Sequence, residues 1–519
     1  MIGCKVGDEK MKDLNREYLL ETNPDFVNAN DKLPEKILMF GEGKFNRAFH
    51  CFMIQTMNDQ GIFNGRIIAV QPIEQGGILD ALEGQDYYYT VMHRGKLDGE
   101  VVQDPKIIGA ISRGIRSVSE WDTLLETARQ DSIEVVISNT TEAGLDYLKE
   151  DFTPEAAPVS YPGKITAWLY ERFKFFKDKE VSGGVVIMPC ELLEQNGEIL
   201  KARINQKIDD WNLPEEFRSW VTTSCSICST LVDRIVTGPP PSGEEEKIAE
   251  ALGYKDEMLT TCEPYLLFVV NGDERVRDVL PFHEAGLNVR FEPEGPYKKI
   301  KVSFLNGAHT LMCAVGISKG IETVGEMLAN PETRQFIMTG VYDEIFPVVD
   351  LPADKKTTYI DSIFERFENP FVRHMLKDIA MNGVSKFRER LLPSFTGYVS
   401  QYHRLPNNLT QTLSSILYLY KNSELTSDSF VYEKDDKVFE IKETPTTIEV
   451  FKEARESTKG DDREYVRRIL GSETLWGKDL TKLPNLTETV LQNIRSMENP
   501  EAPEVLETFV SEDNEITEG

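Results

Sequence analysis

Four short apolar runs divide the first 190 residues of the chain: KILMF (36–40), RIIAV (66–70), IEVVISN (133–139) and GGVVIMPC (183–190). Each is too short for a buried helix, and IEVVISN is rich in β-branched residues, so each reads as a buried strand. Helical patterns lie between them, at 46–58, 117–130 and 161–176, and YYYTVMHRG (87–95) reads as further extended chain. Strands that return after each helix predict a parallel α/β sheet.

Beyond Phe291 the periodicity changes. Helical spacing dominates at 297–318, 320–329, 332–347, 358–368, 370–393 and 408–421, and β-type runs become scarce. A chain of 519 residues needs more than one core in any case. The reading is therefore an α/β N-terminal Rossmann-type domain (33–288) and a mainly α-helical C-terminal domain (289–495). A polar lead-in (1–32) precedes them and an acidic tail (496–519) follows.

Charge narrows the partners. With 58 Lys and Arg against 87 Asp and Glu, the net charge is −29. Such a surface repels phosphate backbones, so nucleic acid is not expected, and an anionic substrate needs a local island of Lys or Arg. No apolar run reaches the ~18 residues of a membrane span. The N-terminal MIGCKVGDEKMKDLNREYLL lacks an apolar signal core, and seven cysteines suggest no disulfide framework. A cytoplasmic protein without a membrane partner is expected. Cys225 and Cys228 have metal-ligand spacing but no second pair, so no metal is expected. The sequence leaves the oligomeric state open.

FGEGKFNRAF (40–49) links the first strand to a helix. Gly41 permits a tight turn, Gly43 lets a pyrophosphate approach the backbone, and the free N–H groups of the helix start face the phosphates. Asn46 replaces the third glycine of a dinucleotide fingerprint, and Phe45 and Arg47 flank it. Gln71 occupies the end of the second strand, where NAD enzymes carry an acid for the adenosine ribose. NAD against NADP thus stays open.

KVSFLNGAHT (301–310) has the apolar spacing of a core helix but carries Lys301, Asn306 and His309. Asn306 and His309, three apart, share a face, and the long Lys301 side chain reaches the same side. A lysine kept from water loses basicity and can exchange a proton with a carbinol, while Asn306 and His309 hydrogen-bond its oxygen. Spacing alone equally allows a solvated lysine face and a core histidine. His50 and His374 read as structural.

Lys-x4-Asn-x2-His resembles the catalytic signature of the polyol-specific long-chain dehydrogenase/reductase family, which includes mannitol 2-dehydrogenase and the hexuronate reductases. FGEGKFNRAF resembles that family's cofactor loop, and CSTLVDRIVTG (228–238) resembles its central signature. SNTTEAG (138–144), VSYPGK (159–164) and MPCELLEQNG (188–197) are most similar to the tagaturonate-reducing branch. Mannitol-type members carry Asp-Asn where this chain has Glu191-Leu192. The resemblance implies metal-independent interconversion of a 2-keto sugar acid and its alcohol, D-tagaturonate and D-altronate, with NAD(H) as cofactor. Fructuronate or a mannitol-type polyol is the alternative substrate, and a sugar-acid epimerase the alternative of another class. Lys301 carries over as general acid/base, and Asn306 and His309 as oxygen stabilisers. Asp233 matches a position near the substrate, and Lys386 a substrate-binding lysine. The mannitol-type arginine eight residues before that lysine is Asp378 here. Arg234 has two readings, a structural pair or a ligand of the substrate carboxylate. The site is expected in a cleft between the two domains.

Overall fold

The computed structural model describes residues 11–499. It forms two compact units. The first takes the chain up to Lys298 and then Asn369–Val372; the second takes Lys299–Glu368 and the chain from Arg373 on. Most of the expected acidic tail lies outside the described residues.

The main sheet of the first unit has six parallel strands: β1 (Glu35–Phe40), β2 (Arg66–Gln71), β5 (Ile111–Arg116), β6 (Val135–Ser138), β7 (Val186–Pro189) and β8 (Ser226–Ile227). Their spatial order is β5-β2-β1-β6-β7-β8. The four apolar runs read from the sequence are β1, β2, β6 and β7. Strand β5, ISRGIR, is an addition, because its Ser-Arg-Gly centre breaks the apolar run. Between β2 and β5 the chain makes a hairpin of β3 (Tyr89–Leu97) and β4 (Glu100–Ile108) in a separate sheet. That sheet also holds β10 (Val236–Gly238) and β11 (Thr260–Cys262), while β9 (Ser229–Asp233) pairs with β12 (Leu267–Asn271) in a third.

Alternation along β1 shows why the sheet needs two covers. Ile37 and Met39 join a core with Met53 and Ile54 of helix α1 (44–59). Leu38 and Phe40 join another with Ile165 and Trp168 of helix α2 (Tyr161–Phe176). Ser160 caps α2 by accepting the Gly163 N–H, and Pro162 sits in its first turn, where no N–H is needed. Strand order reverses between β1 and β6, and ligands of such sheets bind outside the carboxyl ends at that point.

Residues 11–32, expected as a polar lead-in, instead form helices Arg16–Thr22 and Pro24–Asp31, capped by Asn15 and Asn23. Leu14, Leu19 and Val27 pack with Tyr88 and Tyr254, so this segment belongs to the first unit's core.

The second unit is mostly helical. Helix α3 (Gly295–Ser318) is long and apolar enough to cross a membrane, against the expectation that no run would be, yet 78% of its apolar window is buried inside the protein. Helices α4 (Ala353–Phe367), α5 (383–402) and α6 (Asn407–Asn422) belong to the same unit. A three-stranded meander over 424–442 accompanies the helices, within the mainly α-helical pattern expected. Both α3 and α5 contain a π-turn, at Lys301–Asn306 and Phe387–Leu391, and α1 contains one at Arg47–Cys51.

Candidate active site

In the first unit the G-x-G loop leaves β1 with Gly41 at φ +103°, where a Cβ would come within 2.8 Å of the Asn139 carbonyl oxygen. Asn139 follows β6, so this glycine is required by the close approach of the two strand ends at the order reversal. Gly43 has an ordinary φ of −63° and open space where its Cβ would stand. Backbone strain does not demand glycine there; access to the backbone does. No side chain caps the first turn of α1, which leaves its N–H groups for an anion. These features fit the diphosphate of a dinucleotide. Glu42, between the glycines, is buried, which pushes its carboxyl above the usual carboxylate range and softens its repulsion of phosphate.

The other residues assigned to the cofactor brace this loop. Asn46 Nδ2 donates to the Gly41 carbonyl at 2.6 Å, and Asn46 Oδ1 lies 2.8 Å from His50 Nδ1. Arg47 donates to the Glu42 carbonyl at 2.8 Å and to Thr260 Oγ1 at 3.1 Å. Phe45 stacks on Phe49 at 4.9 Å. Lys44, which sequence reasoning passed over, donates to the Thr237 carbonyl at 3.1 Å, tying the loop to the VDRIVTG motif. The π-turn frees the carbonyls of Arg47 and Ala48 for outside donors: Tyr89 Oη at 3.1 Å and Arg234 Nη1 at 2.8 Å. Arg234 also donates Nε to the Glu263 carbonyl at 3.0 Å and lies 4.9 Å over the Phe52 ring. Of its two readings the geometry supports the structural one, since these partners hold the buried guanidinium inside the fold. Asp233 is buried at the end of β9.

Gln71 ends β2 and is buried. Its Nε2 donates to the carbonyls of Ile73 at 2.9 Å and Glu74 at 3.4 Å, while its Oε1 accepts from nothing among the described residues. Glu191 turns inward, accepting from Thr140 N at 3.1 Å, Thr140 Oγ1 at 3.0 Å and Ser138 Oγ at 3.3 Å. It therefore ties the loops after β6 and β7 together.

In the second unit the spacing of the polar trio acquires a geometric meaning. An α-helix turns about 100° per residue, so residues five apart stand roughly 140° from each other. A π-turn is hydrogen-bonded i→i+5 and stacks them. The turn covers the interval Lys301 to Asn306, so their five-residue spacing lands on one side of α3. Ordinary α-helix resumes at Gly307 and brings His309 to that side. Lys301 and Asn306 are half-buried and His309 is buried.

His309 is enclosed by the Phe367 ring at 4.5 Å and the His374 ring at 4.8 Å. Burial, then the proximity of His374, Arg366, Arg390 and Lys386, presses its imidazole well below the usual value and keeps it neutral. Its Nε2 has no hydrogen-bond partner among the described residues. A buried unpaired imidazole nitrogen is costly, and an oxygen of a bound substrate would satisfy it. Lys386, on α5, donates Nζ to the Ile379 carbonyl at 2.8 Å. Burial and Arg390 lower its pKa. Sequence reasoning missed Arg366 and Arg390; Arg390 stands four residues after Lys386, but nothing in that spacing announced its neighbours.

A doubly wound sheet with this loop, followed by a helical unit bearing Lys-x4-Asn-x2-His, defines a nicotinamide-dependent oxidoreductase acting on CH–OH groups. The chain belongs to the mannitol dehydrogenase family: the mannitol dehydrogenase Rossmann domain matches residues 35–282 and the mannitol dehydrogenase C-terminal domain residues 295–498. Its curated relatives include altronate oxidoreductase of Halalkalibacterium halodurans, 41% identical over 90% of this chain and 91% of that one. The altronate oxidoreductase of Bacillus subtilis is 37% identical over 93% and 97%. Among solved structures, D-sorbitol dehydrogenase in substrate-free form superposes with a TM-score of 0.73 at 19% identity, covering 91% and 94%. Mannitol 2-dehydrogenase of Pseudomonas fluorescens, a ternary complex with NAD and D-mannitol, gives 0.66 at 19%, covering 94% and 97%. These two show the fold.

Proposed function

We propose that the chain interconverts D-tagaturonate and D-altronate with NAD(H), using Lys301 as general acid/base. The observation that carries this reading is the 41% identity, along nearly the whole chain, to a protein named altronate oxidoreductase. When bound, the nicotinamide ring supplies the hydride in reduction and accepts it in oxidation. The residues of α3 manage the charge and the proton. As the keto oxygen becomes alkoxide-like, Asn306 donates an amide N–H to it. His309, held neutral, donates from Nε2 in the tautomer that carries its proton there. Lys301 delivers a proton to the same oxygen in reduction and removes it in oxidation. Asp233 and Lys386 contact the rest of the substrate. Gly41 and Gly43 admit the diphosphate, while Phe45, Asn46 and Arg47 shape the loop.

Gln71 favours NAD. Its Nε2 is committed to two carbonyls, which leaves Oε1 as an acceptor. An acceptor pairs with a ribose hydroxyl and repels a 2′-phosphate. A cytoplasmic place fits the six free cysteines among the described residues.

The test is steady-state turnover of D-tagaturonate, D-fructuronate and D-fructose with NADH and with NADPH. Tagaturonate with NADH is expected to give the highest kcat/KM. No turnover of tagaturonate beside good turnover of either other substrate would overturn the assignment.

A further inference from the structure

We infer that Arg390, together with Lys386, forms the recognition site for the substrate's carboxylate. This inference rests on the sugar-acid reading above and deepens it. A chain of net charge −29 has abundant carboxylates with which to neutralise its cations. Arg390 nevertheless makes no ion pair with any of them among the described residues. It is half-buried on α5, and its recorded hydrogen bond runs from Nη1 to Thr310 Oγ1 at 3.4 Å, one residue after His309. The acid beside it in sequence, Glu389, accepts instead from Arg388 at 3.3 Å. Lys386 is likewise satisfied by a carbonyl alone. The nearest buried acid, Glu443, accepts from Tyr420 Oη at 2.7 Å and from the Val384 N–H at 3.0 Å.

Space adjoins these cations. Thr310, Cys313, Lys386 and Tyr420 line a pocket of about 350 Å³, open solvent included. Its remaining lining is mostly apolar, and apolar walls strengthen a charge–charge contact by excluding water. Arg390 lowers the Lys386 pKa, and both cations lower that of His309, so positive potential gathers here. Lys386 faces the pocket and Arg390 is bonded to Thr310 of its wall, neither of them in an ion pair among the described residues, so a bound anion would supply the contact they lack. Arginine suits the task because its fork meets both oxygens of a carboxylate, whereas Lys386 acts as a point charge.

The test compares binding of D-altronate with that of its neutral counterpart D-altritol to the enzyme–NAD complex, by calorimetry. The parent protein is expected to prefer the acid, and Arg390→Gln to lose about 100-fold in altronate affinity, the scale of a charge-assisted bidentate pair. Altritol and NADH affinities should stay within a few-fold. Arg390→Lys, which keeps the charge and loses the fork, should fall between them and covers the case in which the glutamine variant does not fold. Unchanged acid preference in either variant would overturn the role of Arg390. Failure of the parent protein to prefer altronate would instead overturn the sugar-acid reading beneath it.

Discussion

Two neighbouring glycines offer a controlled comparison, because alanine at one is free of steric cost and at the other is not. An alanine at Gly43 adds a methyl that meets nothing within 4 Å at a φ of −63°. Gly43→Ala should therefore leave stability within about 0.5 kcal/mol of the parent. A diphosphate that needs the bare backbone is pushed back by the methyl, losing roughly 1.5–3 kcal/mol of charge-assisted hydrogen bonding. That is about a 10–100-fold rise in the Kd for NADH. An alanine at Gly41 must hold φ +103° with its Cβ 2.8 Å from a backbone oxygen and 3.2 Å from Asn46 Nδ2. The backbone term alone is roughly 1–3 kcal/mol and the overlap adds about 1–3 more. At about 2–4 °C per kcal/mol, Gly41→Ala should lower Tm by roughly 5–20 °C. NADH fluorescence titration and thermal melting of both variants separate these effects. An unchanged Kd in Gly43→Ala would refute the placement of the diphosphate at this loop. An unchanged Tm in Gly41→Ala would refute the steric argument.

Lys301→Ala should lower kcat by about 10²–10⁴-fold while the Kd for NADH stays the same; turnover within tenfold of the parent would remove Lys301 from the proton-transfer role. His50 and His93 are pressed by burial to about 3, so the folded first unit refuses protons that the unfolded chain accepts below about 6.5. Stability should then fall as pH drops through 6.5, by about 1.4 kcal/mol per pH unit for each histidine, and melting temperatures at pH 7.5 and 5.5 check it. Equal melting at both values would contradict the buried, neutral state. Lys207 Nζ lies 2.8 Å from Glu150 Oε1, with side chains 1% and 8% exposed. Lys207→Met leaves the carboxylate its Val159 and Ser160 donors but no counter-charge, and should cost about 3 kcal/mol, read as a lower denaturant midpoint; an unmoved midpoint would show that the pair contributes nothing.

Legibility in the sequence followed locality. Strands β1, β2, β6 and β7 each hold an unbroken apolar run, so the sequence pattern found them. The meander at 424–442 and strands β4 and β5 carry polar residues or proline, such as Pro105 in β4, and their strand character comes from partners. The glycine loop and the Lys-Asn-His trio were visible as motifs, but the purpose of the five-residue interval was not. It makes sense only once a π-turn is seen, and no residue type signals one. Asn46, Arg47 and Arg234 illustrate the same limit. Their hydrogen bonds reach Gly41, Thr260 and Ala48, and two of those contacts close loops of about 200 residues, beyond any local pattern. Arg390 lies beside Thr310 without an ion pair among the described residues, a placement that only three dimensions reveal.

The four residues Asn369–Val372 that return to the first unit set an order for its synthesis. Asn369 donates to the Arg94 carbonyl at 2.9 Å, and Phe371 lies under the Arg94 guanidinium at 4.3 Å, so they finish the flank of β3. A ribosome that has just made Lys298 has supplied every strand of the Rossmann sheet but not this closing piece. At about 5–20 residues per second, the roughly 70 residues still to come take about 4–15 s. Throughout that interval the emerging first unit holds Arg94 on Glu244 alone, without Asn369 and Phe371. A fragment ending at the obvious domain boundary would be frozen in that unfinished state, which makes the whole chain, rather than either half, the unit of expression.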